Sequence, residues 1–322
     1  MNTKKVVKRS PTAPAFSKVG VLGLGIMGSA MAGNLMKAGF KVYGHDPSDK
    51  ARQHFRAAGG VVCADAASVA RQVDVIITSL PHAAALQACA AVLAKAGRKG
   101  LPVIETSTLD IADKEAACAL LAKKGVVLLD CPLSGTGAQA ARKDLTVYAS
   151  GPKAVIQQLA PVFDGFSKAH YELGAFGNGM KMKLMANLLV AIHNVSTAEA
   201  LLLGQRWGIK PSTAVKVLST GAGGSRMLDV RGPMMANAGW DEATMKVSVW
   251  QKDMKLIAQA LVDTEVPAPL FSATIPLYNA AVGMGHAEHD TAAVFDVLSR
   301  MSSPGAAATR KRPKSPSKSR AK

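Results

Sequence analysis

The chain is poor in rings. Phe, Trp and Tyr make up 5% of its 322 residues. That leaves few platforms for stacking nucleic-acid bases and argues against a β-sandwich. Cysteine is scarce too. Cys63, Cys89, Cys118 and Cys131 lie far apart, with no CxxC pair and no clustered histidines. A disulfide scaffold and a structural zinc site are therefore not expected, and no metal is assigned; reduced thiols in a cytoplasmic setting are the default. No run of 18 residues is free of charge and polarity. The most apolar stretch, Leu184 to Ile192, begins beside Lys183 and ends at His193, so no membrane span is expected.

Hydrophobic residues make up 48% of the chain, enough for a sizeable core, and the length suits about two domains. The formal net charge of +17 is unevenly spread. Residues 1–18 hold five basic side chains and residues 304–322 hold seven, with no acid in either. Twelve of the 39 basic residues thus sit in the tails, and the rest of the chain is only +5. These Ser-, Pro- and Ala-rich tails read as disordered, solubilising segments able to make non-specific polyanion contacts. The first tail has the composition of a transit peptide, but it is short and broken by Pro11 and Pro14.

Apolar runs at 19–22, 41–43, 73–80, 103–104 and 126–129 alternate with helical stretches near 27–38, 51–58, 83–96 and 111–124. This alternation implies βαβ units and a parallel sheet. A strand at 145–149 and a helix at 154–163 follow. From Met180 to Trp207 the pattern is one long helix, and beyond it helices are expected at 211–219, 224–237, 242–263, 270–284 and 290–302. The fold class is α/β: a Rossmann-type dinucleotide domain (18–179), then an all-helical substrate and oligomerisation domain (180–303). Basic tails flank them at 1–17 and 304–322.

Gly23-Leu24-Gly25-Ile26-Met27-Gly28 matches GxGxxG between a predicted strand and a predicted helix. The first glycine permits the tight turn, the second lets the backbone approach a pyrophosphate, and the third lets helix and strand pack closely. Asp46, 18 residues past Gly28, ends the next strand and suits the adenosine ribose hydroxyls. Pro47 follows where an NADP site would want an Arg. NAD is therefore the expected cofactor, with Lys50 and Arg52 near enough to leave NADP open.

Two further constellations carry chemistry. Ser134-Gly135-Thr136 follows an apolar strand and Asp130, and could cradle an anion with N–H and O–H groups. Gly177-Asn-Gly179 opens the long helix ahead of Lys181, Lys183 and Asn187. Lys183 and Asn187 are four apart and share a face; Lys181 lies about 200° away from Lys183. Asn194 continues the stripe, while His193 lies off it. Gly221–Arg226 reads as a loop or a helix break, and Lys252-Asp253 as a charge pair.

Together these motifs resemble the β-hydroxyacid dehydrogenase family over about residues 18–302. Its phosphate loop looks like Gly23–Gly28. Its DxPxSG looks like Asp130, Pro132, Ser134 and Gly135, and its GxGxxxK with a following Asn looks like Gly177, Gly179, Lys183 and Asn187. Leu80-Pro81, Ser107-Thr108 and Lys252-Asp253 match its cofactor-side pairs. The resemblance implies hydride transfer between a nicotinamide and a small 3-hydroxy acid, or the matching semialdehyde. Lys183 would be the general acid/base. Ser134, Gly135, Thr136 and Asn187 would hold a small carboxylate substrate. The cofactor would lie against Gly23–Gly28, Asp46, Leu80, Pro81, Thr108 and Lys252. The resemblance also implies a homodimer or homotetramer. Free lysine, with a pKa of about 10.4, is a poor base at neutral pH, so this role calls for burial. Three departures stand out: Thr136 where the family often has a second Gly, Lys143 where a loop Gly is expected, and Arg226 where relatives often carry a large apolar residue. The alternative is a catalytically inactive dinucleotide-binding module tethered to nucleic acid by its tails, which an intact Lys183 and Ser134-Gly135 oppose.

Overall fold

The computed structural model describes residues 16–302; the readings for the tails fall outside that range. The chain divides after Asn187 into two compact units. The division falls eight residues past the boundary expected from sequence, inside the long helix, because the first turn of that helix is bonded to the first unit.

The first unit is built on a six-stranded parallel sheet of β1 (Lys18–Leu22), β2 (Lys41–His45), β3 (Val61–Val62), β4 (Val75–Thr78), β5 (Pro102–Glu105) and β6 (Val127–Asp130). The order is β3-β2-β1-β4-β5-β6, the doubly wound dinucleotide-binding arrangement. Its central strands are near-continuous apolar runs, as a sheet covered on both faces requires. Val19, Val21, Val75 and Ile77 point to one core cluster, and Leu22, Ile76 and Val103 to the other. The connecting helices are α1 (Ile26–Lys37), α2 (Asp49–Ala57), α3 (Ala66–Ala70), α4 (Ala83–Ala96) and α5 (Ile111–Ala122). Strand β3 and helix α3 were not legible in the sequence: each is too short to show a period.

The expected strand at 145–149 is present as β8 (Thr146–Ala149), but it belongs to a second sheet. It pairs antiparallel with β7 (Leu133–Ser134) and parallel with β9 (Ala169–Glu172). The short α6 (Gly137–Ala141) lies between β7 and β8. The helix expected at 154–163 is two, α7 (Lys153–Gln158) and α8 (Ala160–Phe166). They meet at Leu159 (ψ 0°), with Pro161 in the first turn of α8, where a missing N–H costs nothing.

Helix α9 (Asn178–Arg206) runs from the first unit into the second. It is long and apolar enough to cross a bilayer, with a mean hydropathy of 1.3 over its most apolar 18 residues. Its buried positions include Lys183, Asn187, Asn194 and Thr197, polar groups that lipid would leave at high cost.

The second unit continues with α10 (Pro211–Leu218), α11 (Arg226–Ala236), α12 (Val247–Asp263), α13 (Pro269–Gly283) and α14 (Val294–Met301) around Trp250, Phe271 and Tyr278. Helix α12 starts five residues later than expected. The cause is Asp290, whose carboxylate accepts the N–H groups of Thr244 (2.8 Å) and Met245 (3.0 Å) and holds that segment out of a helix. Asp290 also pairs with buried Arg231 at 3.0 Å. Burial opposes ionisation of Asp290, but the Arg231 guanidinium and the N–H donors outweigh it and hold the carboxyl below its usual range. The stability this contributes is present above the ordinary carboxylate pKa and is lost as the pH falls through the depressed one.

Lys143 occupies the left-handed region at φ 61°, where the family loop expects glycine. A β-carbon there costs about 1–2 kcal/mol, partly offset because Gly is freer in the unfolded chain. Lys143→Gly is therefore expected to stabilise the protein by about 0.5–1 kcal/mol. Differential scanning calorimetry should show the midpoint rising by ~2 °C. A lower midpoint would contradict the strain assignment.

Candidate active site

The phosphate loop is shaped by backbone contacts. At Gly23 (φ 93°) a β-carbon would stand 2.1 Å from the Ser79 carbonyl oxygen, and at Gly28 it would stand 1.9 Å from that of Gly23. Gly25 faces open space: a β-carbon there would meet no protein atom within 4 Å. So the first and third glycines serve packing, and the second leaves room for a ligand's approach. Helix α1 has no side-chain cap, which leaves its first-turn N–H groups to an anion. Ile26, in that turn, is 77% exposed.

Asp46 closes the loop from the next strand. Its carboxylate accepts Leu24 N–H at 2.7 Å and Ser48 N–H at 2.8 Å. The Arg52 guanidinium donates to the carbonyls of Asp46 and Pro47 and pairs with Asp49. The loop after β4 is tied to that after β5, since Leu80 N–H donates to Ser107 Oγ at 2.8 Å. Thr108 follows directly and is half-buried.

In the second motif, Gly135 (φ 136°) has no room for a side chain: a β-carbon would meet Leu145 Cδ2 at 2.6 Å. Thr136 is the N-cap of α6, in a capping box with Gln139. Its N–H donates to Gln139 Oε1 at 3.0 Å, and its hydroxyl oxygen accepts Gln139 N–H at 3.4 Å. The Thr136 N–H is thus engaged, and what remains for an anion is its hydroxyl hydrogen together with Ser134 and Gly135. Gln139 was invisible to sequence reasoning, although Thr-x-x-Gln is a capping-box spacing.

On α9, Lys183 and Asn187 are buried at 7% and 4% exposure, while Lys181 is exposed and lies 3.5 Å from Asn178 Oδ1. The two lysines on α9 thus differ in burial, and Lys183 is buried together with Asn187. Asn194 is fully buried and donates to Tyr278 and Thr291 hydroxyls at 3.3 Å. Lys252, on α12 of the second unit, contacts the Asp253 carboxylate at 3.1 Å.

The start of α9 is held by Asp130, known from the sequence only as the first residue of DxPxSG, and by Ser150, to which sequence reading gave no role. Asp130 Oδ2 accepts Met180 N–H at 2.8 Å, and Ser150 Oγ accepts Gly179 N–H at 2.9 Å. Gly179 permits this approach, as a β-carbon there would stand 2.4 Å from the Tyr148 carbonyl oxygen. Behind Asp130, Lys114 is fully buried between Asp130 (2.7 Å) and Glu105 (2.6 Å). The available signal was two acids each closing an apolar strand, which need a cation.

A family model described as the NAD binding domain of 6-phosphogluconate dehydrogenase matches residues 18–201. A second, described as NAD-binding of NADP-dependent 3-hydroxyisobutyrate dehydrogenase, matches residues 177–298. L-threonate dehydrogenase of Cupriavidus necator is 32% identical over 293 residues, covering 90% of this chain and 98% of the relative. The chain belongs to the β-hydroxyacid dehydrogenase family. The dehydrogenase is accordingly an NAD(P)-dependent oxidoreductase acting on a CH–OH group. It is also similar to 2-(hydroxymethyl)glutarate dehydrogenase of Eubacterium barkeri, at 29% identity over 88% of this chain and 95% of that relative. Among solved structures, 3-hydroxyisobutyrate dehydrogenase of Mycobacterium tuberculosis with L-serine superposes with a TM-score of 0.79 at 28% identity, covering 88% of this chain and 99% of that one. The Salmonella typhimurium 3-hydroxyisobutyrate dehydrogenase gives 0.78 at 29%, covering 87% and 99%.

The loop geometry sorts its glycines by experiment. Gly25→Ala should leave the thermal midpoint unchanged and weaken NADH binding by about tenfold, near 1.4 kcal/mol. Gly28→Ala should instead cost about 1–3 kcal/mol of stability through overpacking. Fluorescence titration and thermal melts separate the two. Equal behaviour of both variants would contradict the assignment.

Proposed function

We propose that this dehydrogenase interconverts a small 3-hydroxy acid and the matching semialdehyde or oxo acid, with Lys183 as general acid/base. The observation that carries the reading is the buried Lys183–Asn187 pair on one face of α9, with Lys181 turned to solvent. The named substrates of its relatives agree in kind: threonate, 3-hydroxyisobutyrate and 2-(hydroxymethyl)glutarate are all small hydroxy carboxylates.

Bound NAD(P) supplies the hydride acceptor in one direction and the donor in the other. The phosphate loop Gly23–Gly28, Asp46, Leu80, Pro81, Thr108 and Lys252 are the residues assigned to hold it. In oxidation, neutral Lys183 takes the proton of the substrate hydroxyl as the carbon loses its hydride; in reduction, the ammonium returns it. Asn187, one turn on, orients the lysine or the hydroxyl it serves. The Ser134 hydroxyl, the Gly135 N–H and the Thr136 hydroxyl bind the carboxylate. Thr136 and Lys143 alter the family loop on that side, and Arg226 alters the first turn of α11 in the second unit. The substrate class is therefore assigned, and one named substrate is not.

NAD is the proposed physiological cofactor. One Asp46 carboxylate oxygen accepts the loop's Leu24 N–H and the other accepts Ser48 N–H in its own turn, and a 2′-phosphate beside them would meet like charge. The ratio of kcat/KM for NAD to that for NADP is expected to exceed ten, about 1.4 kcal/mol of discrimination. A tenfold preference for NADP would overturn this role of Asp46.

Lys183→Met keeps much of the apolar stem and removes the proton carrier. Its kcat is expected to fall by about 10²–10⁴-fold, with NADH binding little changed. Lys181→Met is the matched control and should retain most activity. A nicotinamide absorbance assay over a panel of small hydroxy acids and semialdehydes reads both. Full activity in the Lys183 variant would require another proton carrier.

A further inference from the structure

Glu105 and Asp130 are the last residues of β5 and β6, and they are register partners across those two parallel strands. Both are fully buried. Like charges side by side on a sheet repel, and in a dry interior the repulsion is larger. Lys114, reaching back from the first turn of α5, resolves it. Its ammonium lies 2.6 Å from Glu105 Oε2 and 2.7 Å from Asp130 Oδ1. Burial alone would lower the lysine's pKa, but the two carboxylates override it and hold the ammonium charged.

The row does not end at these three side chains. On one side Glu105 Oε1 accepts Ser107 N–H at 2.9 Å, and Ser107 Oγ accepts Leu80 N–H at 2.8 Å. On the other side Asp130 Oδ2 accepts Met180 N–H at 2.8 Å and the Ser150 hydroxyl at 3.1 Å, and Ser150 Oγ accepts Gly179 N–H. With both carboxylates ionised the row carries one net negative charge, and its Asp130 end meets a first-turn N–H of α9, where the helix dipole favours an anion. A continuous line of hydrogen bonds and ion pairs thus joins the loop at Leu80 to the helical turn that precedes Lys183.

We propose that Lys114 is a positioning residue of the dehydrogenase reaction: by bridging Glu105 and Asp130 it locks the Leu80 loop to the first turn of α9 and so fixes where Lys183 stands relative to the cofactor-side loop. This rests on the reading of Lys183 as the acid/base. Lys114 touches neither substrate nor cofactor on this account. Its effect is on geometry at the moment of transfer, not on ground-state binding.

The informative variant is Lys114→Met combined with Glu105→Gln. It removes one positive and one negative charge, so the row keeps its net charge and Asp130 keeps its bonds to Ser150 and Met180. The full-length double variant is expected to lose about 10–10²-fold in kcat, the scale of a misplacement of about 1 Å, while its NADH dissociation constant moves by less than about threefold. Lys114→Arg, which preserves the bridging charge, should recover most of the lost kcat. Three results would overturn the proposal: a double variant with a lowered melting temperature but unchanged kcat per folded molecule; kcat and NADH affinity falling in the same proportion; or no recovery with arginine. The two readings fail separately. An active Lys183→Met enzyme removes the acid/base assignment, whereas a double variant with normal kcat removes the positioning role and leaves Lys183 untouched.

Discussion

Two carboxylates at the ends of neighbouring strands, both without access to water, set a condition that the rest of the first unit has to meet. Isolated charges in such surroundings are costly, and they persist only when paired and hydrogen-bonded. Lys114 meets the condition for Glu105 and Asp130 together. The remaining lone pairs are met by backbone N–H groups of Ser107 and Met180. Because those N–H groups belong to the loop after β5 and to the first turn of α9, satisfying the charges also places both segments. Gly179 is part of the same solution, since any side chain there would strike the Tyr148 and Asp130 carbonyls.

The phosphate loop works by the opposite means. It has no buried charge at its centre, only backbone in close approach. Gly23 and Gly28 allow contacts that a β-carbon would forbid, and Gly25 leaves space. The charged group tied to it is Asp46, through the Leu24 N–H of the loop it faces. That loop thus rests on shape and dipoles, while the start of α9 rests on buried, paired side chains.

The second unit uses a buried ion pair of its own. Arg231 and Asp290 join α11 to the segments at 244–245 and 290–292, and Asn194 and Tyr278 extend the network through Thr291. In both units the polar interior is stitched by one basic residue that local sequence does not mark as buried.

The amino-acid sequence was sufficient for whatever depends on local period and spacing. The alternation of apolar runs with Ala-rich helices specified the parallel sheet. The glycines at 23, 25 and 28 specified the phosphate loop, and the i, i+4 relation of Lys183 and Asn187 separated the buried lysine from Lys181. Such features repeat every two or about 3.6 residues and need no knowledge of what packs against them. The tertiary structure alone decided the rest. It put the strand at 146–149 into a second sheet, assigned the Thr136 N–H to Gln139, delayed α12 until Val247 and brought Lys114 between Glu105 and Asp130. Apart from the Thr136–Gln139 bond, which spans three residues, these are settled by partners distant along the chain, 16 residues for Lys114 and Asp130 and 45 for Met245 and Asp290. A lysine on an Ala-rich helix reads alike whether it faces water or a pair of acids, because its burial is a property of the neighbours that folding brings to it.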